Sequence, residues 1–123
     1  MNKETNPAED AGAVVHVNDS NFEAEVTQAD GLVIVDFWAS WCGPCQMMSL
    51  IFEDAASEFK GQAKFVKVQL DDPANPTNQN LAHAFGVMSI PSILFFKNGE
   101  EVDRVSGVMQ KEQIKEKIDA LST

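Results

Sequence analysis

The chain has no tyrosine and only two cysteines, and those two stand three positions apart. A secreted disulfide scaffold needs more cysteines, spread along the chain, so that class is excluded, and so is any structural bridge beside the pair. Positive charge is also scarce: nine Lys and Arg face nineteen Asp and Glu, for a net charge of -10. Nucleic acid or an anionic membrane surface requires clustered Lys and Arg, and no such cluster is present. The acidity keeps the chain soluble and gives at most a weak preference for basic partners. No apolar run is long enough to span a bilayer, and no repeat or low-complexity tract appears. The first thirteen residues carry Lys3, Glu4, Pro7, Glu9 and Asp10 rather than the apolar centre of a signal peptide. The expectation is a cytoplasmic protein with an acidic tail at 1–12 and one domain at 13–123. At 123 residues and 44% hydrophobic content, that domain can bury a core without metal or disulfide staples.

Val14 to Val17 is a short β-branched run, a first strand. Ser20-Asn21-Phe22-Glu23 matches a capping box and predicts a short helix to about Gln28. Asp30-Gly31 is a turn. Leu32 to Phe37 is apolar throughout except for Asp36 and does not alternate, as a central strand covered on both faces requires. Met48, Phe52, Ala55 and Phe59 recur at helical spacing within a predicted helix from Cys42 to Lys60. Ala63 to Leu70 is a strand, Asp71 to Asn80 a loop with two prolines, and Leu81 to Phe85 a brief helix. Ile93 to Phe96 is another strand. Asn98-Gly99 is a two-residue hairpin signal leading to a strand over Val102 to Ser106. Ile114, Ile118 and Leu121 share one face of a last helix. The order β-α-β-α-β-α-β-β-α predicts an α/β fold, a mixed sheet of about five strands between about four helices. The final pair should be antiparallel and the helix-linked strands parallel neighbours.

Trp41-Cys42-Gly43-Pro44-Cys45 falls between the buried strand and the long helix. Only a thiolate attacks a disulfide, and a helix start supplies free amides and the positive dipole end that favour an anion. Cys42, at the cap, should be the exposed nucleophile. Cys45, about one turn further, should lie beneath it and resolve the mixed disulfide. Gly43 lets a partner backbone approach, and Pro44 is tolerated in a first turn. Neither carries charge, which favours a reductant over an oxidant. Three other readings stand beside this one: two plain core cysteines, half a zinc site, or a relic pair on a binding module. For zinc the only further ligands are His16 and His83, with no recognisable spacing, so no metal is expected.

Val35 to Cys45, read as Val-Asp-Phe-Trp-Ala-Ser-Trp-Cys-Gly-Pro-Cys, closely resembles the active-site segment of the thioredoxin family. The likeness runs from about Val14 to Leu121 and includes Lys67, Phe85 to Pro91, Phe96 to Glu100, and Gly107. The resemblance implies the thioredoxin fold and a protein-disulfide reductase that is a monomer with no bound cofactor. Electrons would come from an NADPH-dependent thioredoxin reductase or a ferredoxin-linked enzyme. Clients would be disulfide proteins such as ribonucleotide reductase, peroxiredoxins and methionine sulfoxide reductases. It implies that Asp36 is the general acid/base for Cys45 and that Lys67 modulates it. A structural carboxylate paired with Lys67 is the plainer reading of Asp36. It also implies a cis bond before Pro91, lying against the sulfurs. Trp41, Gly43, Pro44, Ile90, Pro91, Gly107 and Val108 would form the substrate surface, with the Ile90 backbone pairing an extended segment. For Ile90 and Val108, ordinary core packing is the competing account, and Trp38 is expected to pack beneath the site. Three features depart from the family pattern. Leu50 stands where a helix proline is common, so a kink should be weaker or moved. The 71–80 loop is longer, as a neutral insertion or an adjuster of partner choice. Gln110 occupies the place of a good N-cap, so the last helix should begin loosely.

Overall fold

Leu32, Ile34, Trp38 and their neighbours alternate across a strand whose two faces are both covered. In the computed structural model, which describes residues 14–122, the strands are β1 (Val14–His16), β2 (Leu32–Trp38), β3 (Lys64–Gln69), β4 (Ser92–Lys97) and β5 (Glu100–Ser106). The helices are α1 (Glu23–Thr27), α2 (Gly43–Glu58), α3 (Asn78–Ala84) and α4 (Lys111–Leu121). The expected tail at 1–12 lies outside the described residues. The sheet order is β1-β3-β2-β4-β5, which puts β2 in the centre.

Strand periodicity sorts the core into two layers. On one face Leu32 and Ile34 of β2, Phe65 of β3, and Ile93 and Phe95 of β4 pack against Met48, Phe52, Ala55 and Ala56 of α2 and Ile114 and Ile118 of α4. On the other, Val33, Val35, Phe37, Val66, Val68, Leu94 and Phe96 meet Phe22 and Val26 around α1 and Leu81 of α3. Asp36 and Lys67 have the parity of the first face. They are directly paired across β2 and β3.

β1, β3 and β2 are mutually parallel, as helix-linked strands should be. The expectation fails at β4, which follows α3 yet lies antiparallel to β2 and away from β3. The side of β2 left free by β3 is the place where an apolar β4 is buried on both faces. β4 and β5 form the antiparallel hairpin. Asn98 and Gly99 both have positive φ, 50° and 89°, as a turn matched to strand twist requires. A Cβ on Gly99 would also collide with the Thr27 carbonyl.

Two caps differ from expectation. Ser20 and Glu23 do not form a capping box: the Asn18 Oδ1 accepts the amides of Ser20 and Asn21 at 2.9 and 3.1 Å. Asn18 thus takes the Ser20 amide that the Glu23 side chain of a capping box would have claimed, and α1 is a single wide turn in which the Gln28 amide bonds the Glu23 carbonyl at 2.8 Å. Gln110, expected to be a poor start for α4, gives its amide to Gln113 Oε1 at 2.8 Å. Helix α3 begins earlier than predicted. Buried Asn78 accepts the Asp19 amide through Oδ1 at 2.8 Å and donates through Nδ2 to the Gln69 carbonyl at 2.9 Å. Helix α2 runs unbroken through Leu50, whose side chain faces solvent.

Phe52 fixes α2 to the sheet: it is fully buried and its ring meets Phe65 edge-on, 5.2 Å between centroids. Phe52→Ala should cost about 3–5 kcal/mol, read as a lower denaturant midpoint at an unchanged slope; an unmoved midpoint would contradict this packing.

Candidate functional site

The chain leaves β2 at Trp38 and turns into α2 within four residues, and the site is built on that turn. Cys42 is the N-cap of α2, with extended backbone (φ -92°, ψ 115°), and Pro44 occupies the first turn. The Cys45 amide, one of the donors that a helix start leaves without an intrahelical partner, points to Cys42 Sγ at 3.2 Å. The two cysteines are joined as a disulfide, with Cα atoms 5.2 Å apart. Cys45 is wholly buried. Cys42 is only 5% exposed, so the expected exposure of the nucleophile is not seen in the bonded form. Ala39, Trp38 and Ile90 close around it. Its Sγ lies 3.9 Å from the Ile90 carbonyl oxygen.

The turn is tied from beneath by a residue that the sequence did not single out. Asp71, just past β3, accepts the Ser40 amide at 3.0 Å and the Ser40 hydroxyl, and takes a further bond from Gln69 Nε2 at 3.1 Å. The Ser40 bonds, foremost that from its hydroxyl, hold the Asp71 carboxyl below the usual range. Gln46 of α2 completes the tie by donating to the Ser40 carbonyl at 2.9 Å. The signal for Asp71 was its position: it directly follows the strand that runs parallel to β2, so both chain exits emerge at one end of the sheet.

The predicted surface residues fall in different places. Trp41 is 75% exposed, and Gly43 and Pro44 are exposed beside it. Trp41, Ala39, Ile90, Leu70, Asp71 and His83 line a groove of about 330 Å³. The Ile90–Pro91 peptide is cis. The Pro91 carbonyl accepts the amide of Gly107 at 2.8 Å, where φ is +97°, so those two meet. Val108 is half-buried and packs into the α2–α4 layer. Ile90 packs against the cysteine pair.

Asp36 and Lys67 are both buried, but they are not bonded to each other. Neither oxygen of Asp36 has a hydrogen-bond partner. Burial pushes its carboxyl up from 3.8 to about 7, with the Lys67 charge pulling the other way. The Lys67 ammonium instead donates to Ser49 Oγ and sits 3.5 Å from Glu53 Oε2, with the Trp38 ring centroid 4.7 Å away. Among the described residues no group of three or more His, Cys, Asp or Glu is arranged to hold a metal ion, and no helix is long and apolar enough to cross a membrane.

A family model described as Thioredoxin matches residues 13–120. The thioredoxin of Chlorobaculum thiosulfatiphilum is 40% identical over 109 residues, covering 89% of this chain and 96% of that one. The thioredoxin of Haemophilus influenzae is 43% identical over 101 residues, covering 82% and 90%. Among solved structures, an N21Q mutant thioredoxin from Halobacterium salinarum NRC-1 superposes with a TM-score of 0.78 at 31% identity, covering 92% of this chain and 94% of that chain.

The buried carboxyl has a stability consequence with a definite sign. Between pH 4 and 7 the folded chain keeps the Asp36 proton that the unfolded chain has lost, so stability falls as pH rises through this window and levels off above it. A shift from 3.8 to about 7 corresponds to about 4 kcal/mol. Denaturant unfolding of wild type and Asp36→Asn across this range should show the variant gaining relative stability towards pH 8; parallel curves would contradict it.

Proposed function

The chain belongs to the thioredoxin family, and we propose that it reduces client disulfides with Cys42 as nucleophile and Cys45 as resolving thiol. Its activity class is thiol–disulfide exchange at this Cys-x-x-Cys pair. The observation that carries the assignment of roles is the Cys45 amide directed at Cys42 Sγ. A sulfur at the cap receives both an amide and the dipole end, and so is the one stabilised as a thiolate.

In the exchange, the Cys42 thiolate attacks one sulfur of the client. The client disulfide breaks, its departing sulfur takes a proton, and a mixed disulfide forms. Cys45 then gives its proton to the Asp36 carboxylate and attacks Cys42 Sγ, forming the intramolecular disulfide and expelling the second client sulfur, which is protonated as it leaves. Two electrons pass to the client; one of its two protons balances the proton Cys45 releases, and the other comes from solvent, which took the Cys42 proton when the thiolate formed. An Asp36 carboxyl near 7 suits that transfer, because it both accepts and returns a proton at neutral pH. Lys67 modulates Asp36 by its charge.

Trp41, Gly43, Pro44, Ile90, Pro91, Gly107 and Val108 make up the contact surface in this reading. The exposed Trp41, Gly43 and Pro44 and the groove beside Ile90 support it; Val108 packs into the α2–α4 layer and has the weakest support. The family implies a reductase partner and disulfide-containing clients. The reading extends this to an NADPH-dependent thioredoxin reductase, to clients such as ribonucleotide reductase, peroxiredoxins and methionine sulfoxide reductases, and to a monomer working in the cytoplasm.

The test is insulin reduction with dithiothreitol as electron source. Wild type should accelerate it, and the double variant Cys42→Ser, Cys45→Ser should not; undiminished activity in the double variant would return the chain to a binding module. Cys45→Ser should accumulate a mixed disulfide on Cys42, visible by mass spectrometry, whereas Cys42→Ser should accumulate none on Cys45. In stopped-flow measurements near neutral pH, Asp36→Asn should slow resolution on the order of a hundredfold and leave attack by Cys42 far less affected. Equal slowing of both steps would remove Asp36 from its role.

A further inference from the structure

Lys67 is a buried cation placed directly across the sheet from a buried carboxyl, yet it makes no hydrogen bond with it. Its ammonium is turned to α2. There it meets the Ser49 hydroxyl, the Glu53 carboxylate at 3.5 Å, and the face of Trp38. Ser49 and Glu53 stand four positions apart, so one helix face presents both towards β3. The face of the sheet around Asp36 otherwise offers little charge. β4 supplies Ile93, α4 supplies Ile114 and Ile118, and the segment before α4 supplies Met109. The other acidic residues of α2, Asp54 and Glu58, are engaged at the surface by Lys111 of α4. The titratable groups on this side are therefore Lys67 from β3, whose charge acts on Asp36, and Glu53 of α2 behind Lys67; in the proposed exchange the reduced Cys45 thiol of α2 joins them.

We propose that Ser49 and Glu53 are positioning residues that hold the Lys67 ammonium on the helix side and leave Asp36 without its cross-strand counter-ion. The inference rests on the proposed acid/base role of Asp36 for its functional meaning, but not for its geometry. A lysine free to reach Asp36 would favour the carboxylate. A lysine shared with Glu53 and Ser49 exerts a weaker field there, so the carboxyl stays available to carry a proton. Glu53 is half exposed, and solvent screens part of its effect.

The readout is the Asp36 titration itself, followed by carboxyl carbon NMR in the oxidised protein. Glu53→Gln should lower its midpoint by about half a pH unit, Ser49→Ala should lower it in the same direction, and Glu53→Asp should restore part of the shift. In a Lys67→Met background, Glu53→Gln should have a much smaller effect. An unmoved midpoint in both Glu53→Gln and Ser49→Ala would overturn the proposal, as would a shift of equal size with Lys67 absent, which would mean that Glu53 acts on Asp36 directly. The pH profile of mixed-disulfide resolution, measured on the same variants, tests the other reading separately. If the NMR midpoint moves and that profile does not, the tether stands and the acid/base role of Asp36 falls.

Discussion

An amide hydrogen aimed at a sulfur atom is the contact around which this molecule is arranged. The donor comes from Cys45, in the first turn of α2, and the acceptor is Cys42 Sγ at the cap. It exists only if the helix begins where it does. Cys42 must stay extended while Gly43 onward turns helical, a boundary Pro44 favours by needing no amide partner of its own. Everything that holds α2 down serves that boundary. Met48, Phe52, Ala55 and Ala56 lock the helix to the sheet. The Met109 amide reaches Met48 Sδ at 3.2 Å and links the segment before α4 to α2. Asp71 and Gln46 clamp Ser40 from both sides. The result is a rigid mount for one reactive atom, the kind of preorganisation that exchange chemistry exploits.

The second constraint opposes stability. Asp36 occupies the middle of the central strand, on a face otherwise filled by Ile34, Ile93 and Phe65. A leucine there would complete the layer, whereas the carboxyl has no hydrogen-bond partner. Such a residue breaks the local rule of an apolar central strand, and breaches of that kind concentrate at working sites. The buried carboxyl destabilises the folded chain most above neutral pH, and the same burial lets it hold a proton near the pH at which the exchange occurs. Lys67, paired with it across β2 and β3, is instead engaged by Ser49 and Glu53 of α2.

Much of this was legible in the residues. The unbroken apolar run Leu32 to Phe37, the helical spacing of Met48, Phe52, Ala55 and Phe59, and Asn98-Gly99 each carry a local periodicity or turn preference, and each element appears within a few residues of its expected place. The cysteine pair was placed at a helix start for the same reason. What escaped depends on tertiary context. Whether the Ser20 amide goes to Glu23, as a capping box requires, or to Asn18 depends on how the chain enters α1, and local pattern does not fix that entry. The antiparallel seating of β4 beside β2 depends on which side of the central strand is free. Lys67 has two acidic neighbours, Asp36 across the sheet and Glu53 on the helix, and only the fold decides that its protons go to the helix side. The loop beginning at Asp71 reads as a neutral insertion or an adjuster of partner choice, and neither reading anticipates that its first carboxylate ties down the turn that carries the cysteines.

The central claim concerns the charge on one atom, and the most direct measurement is the pH dependence of Cys42 alkylation by iodoacetamide in the reduced protein, with Cys45→Ala to silence its neighbour. A thiolate favoured by a helix-start amide predicts half-maximal rate well below about 8.5, the value of a free cysteine. A midpoint at or above that value would show that the helix start does not stabilise the anion and would contradict the account.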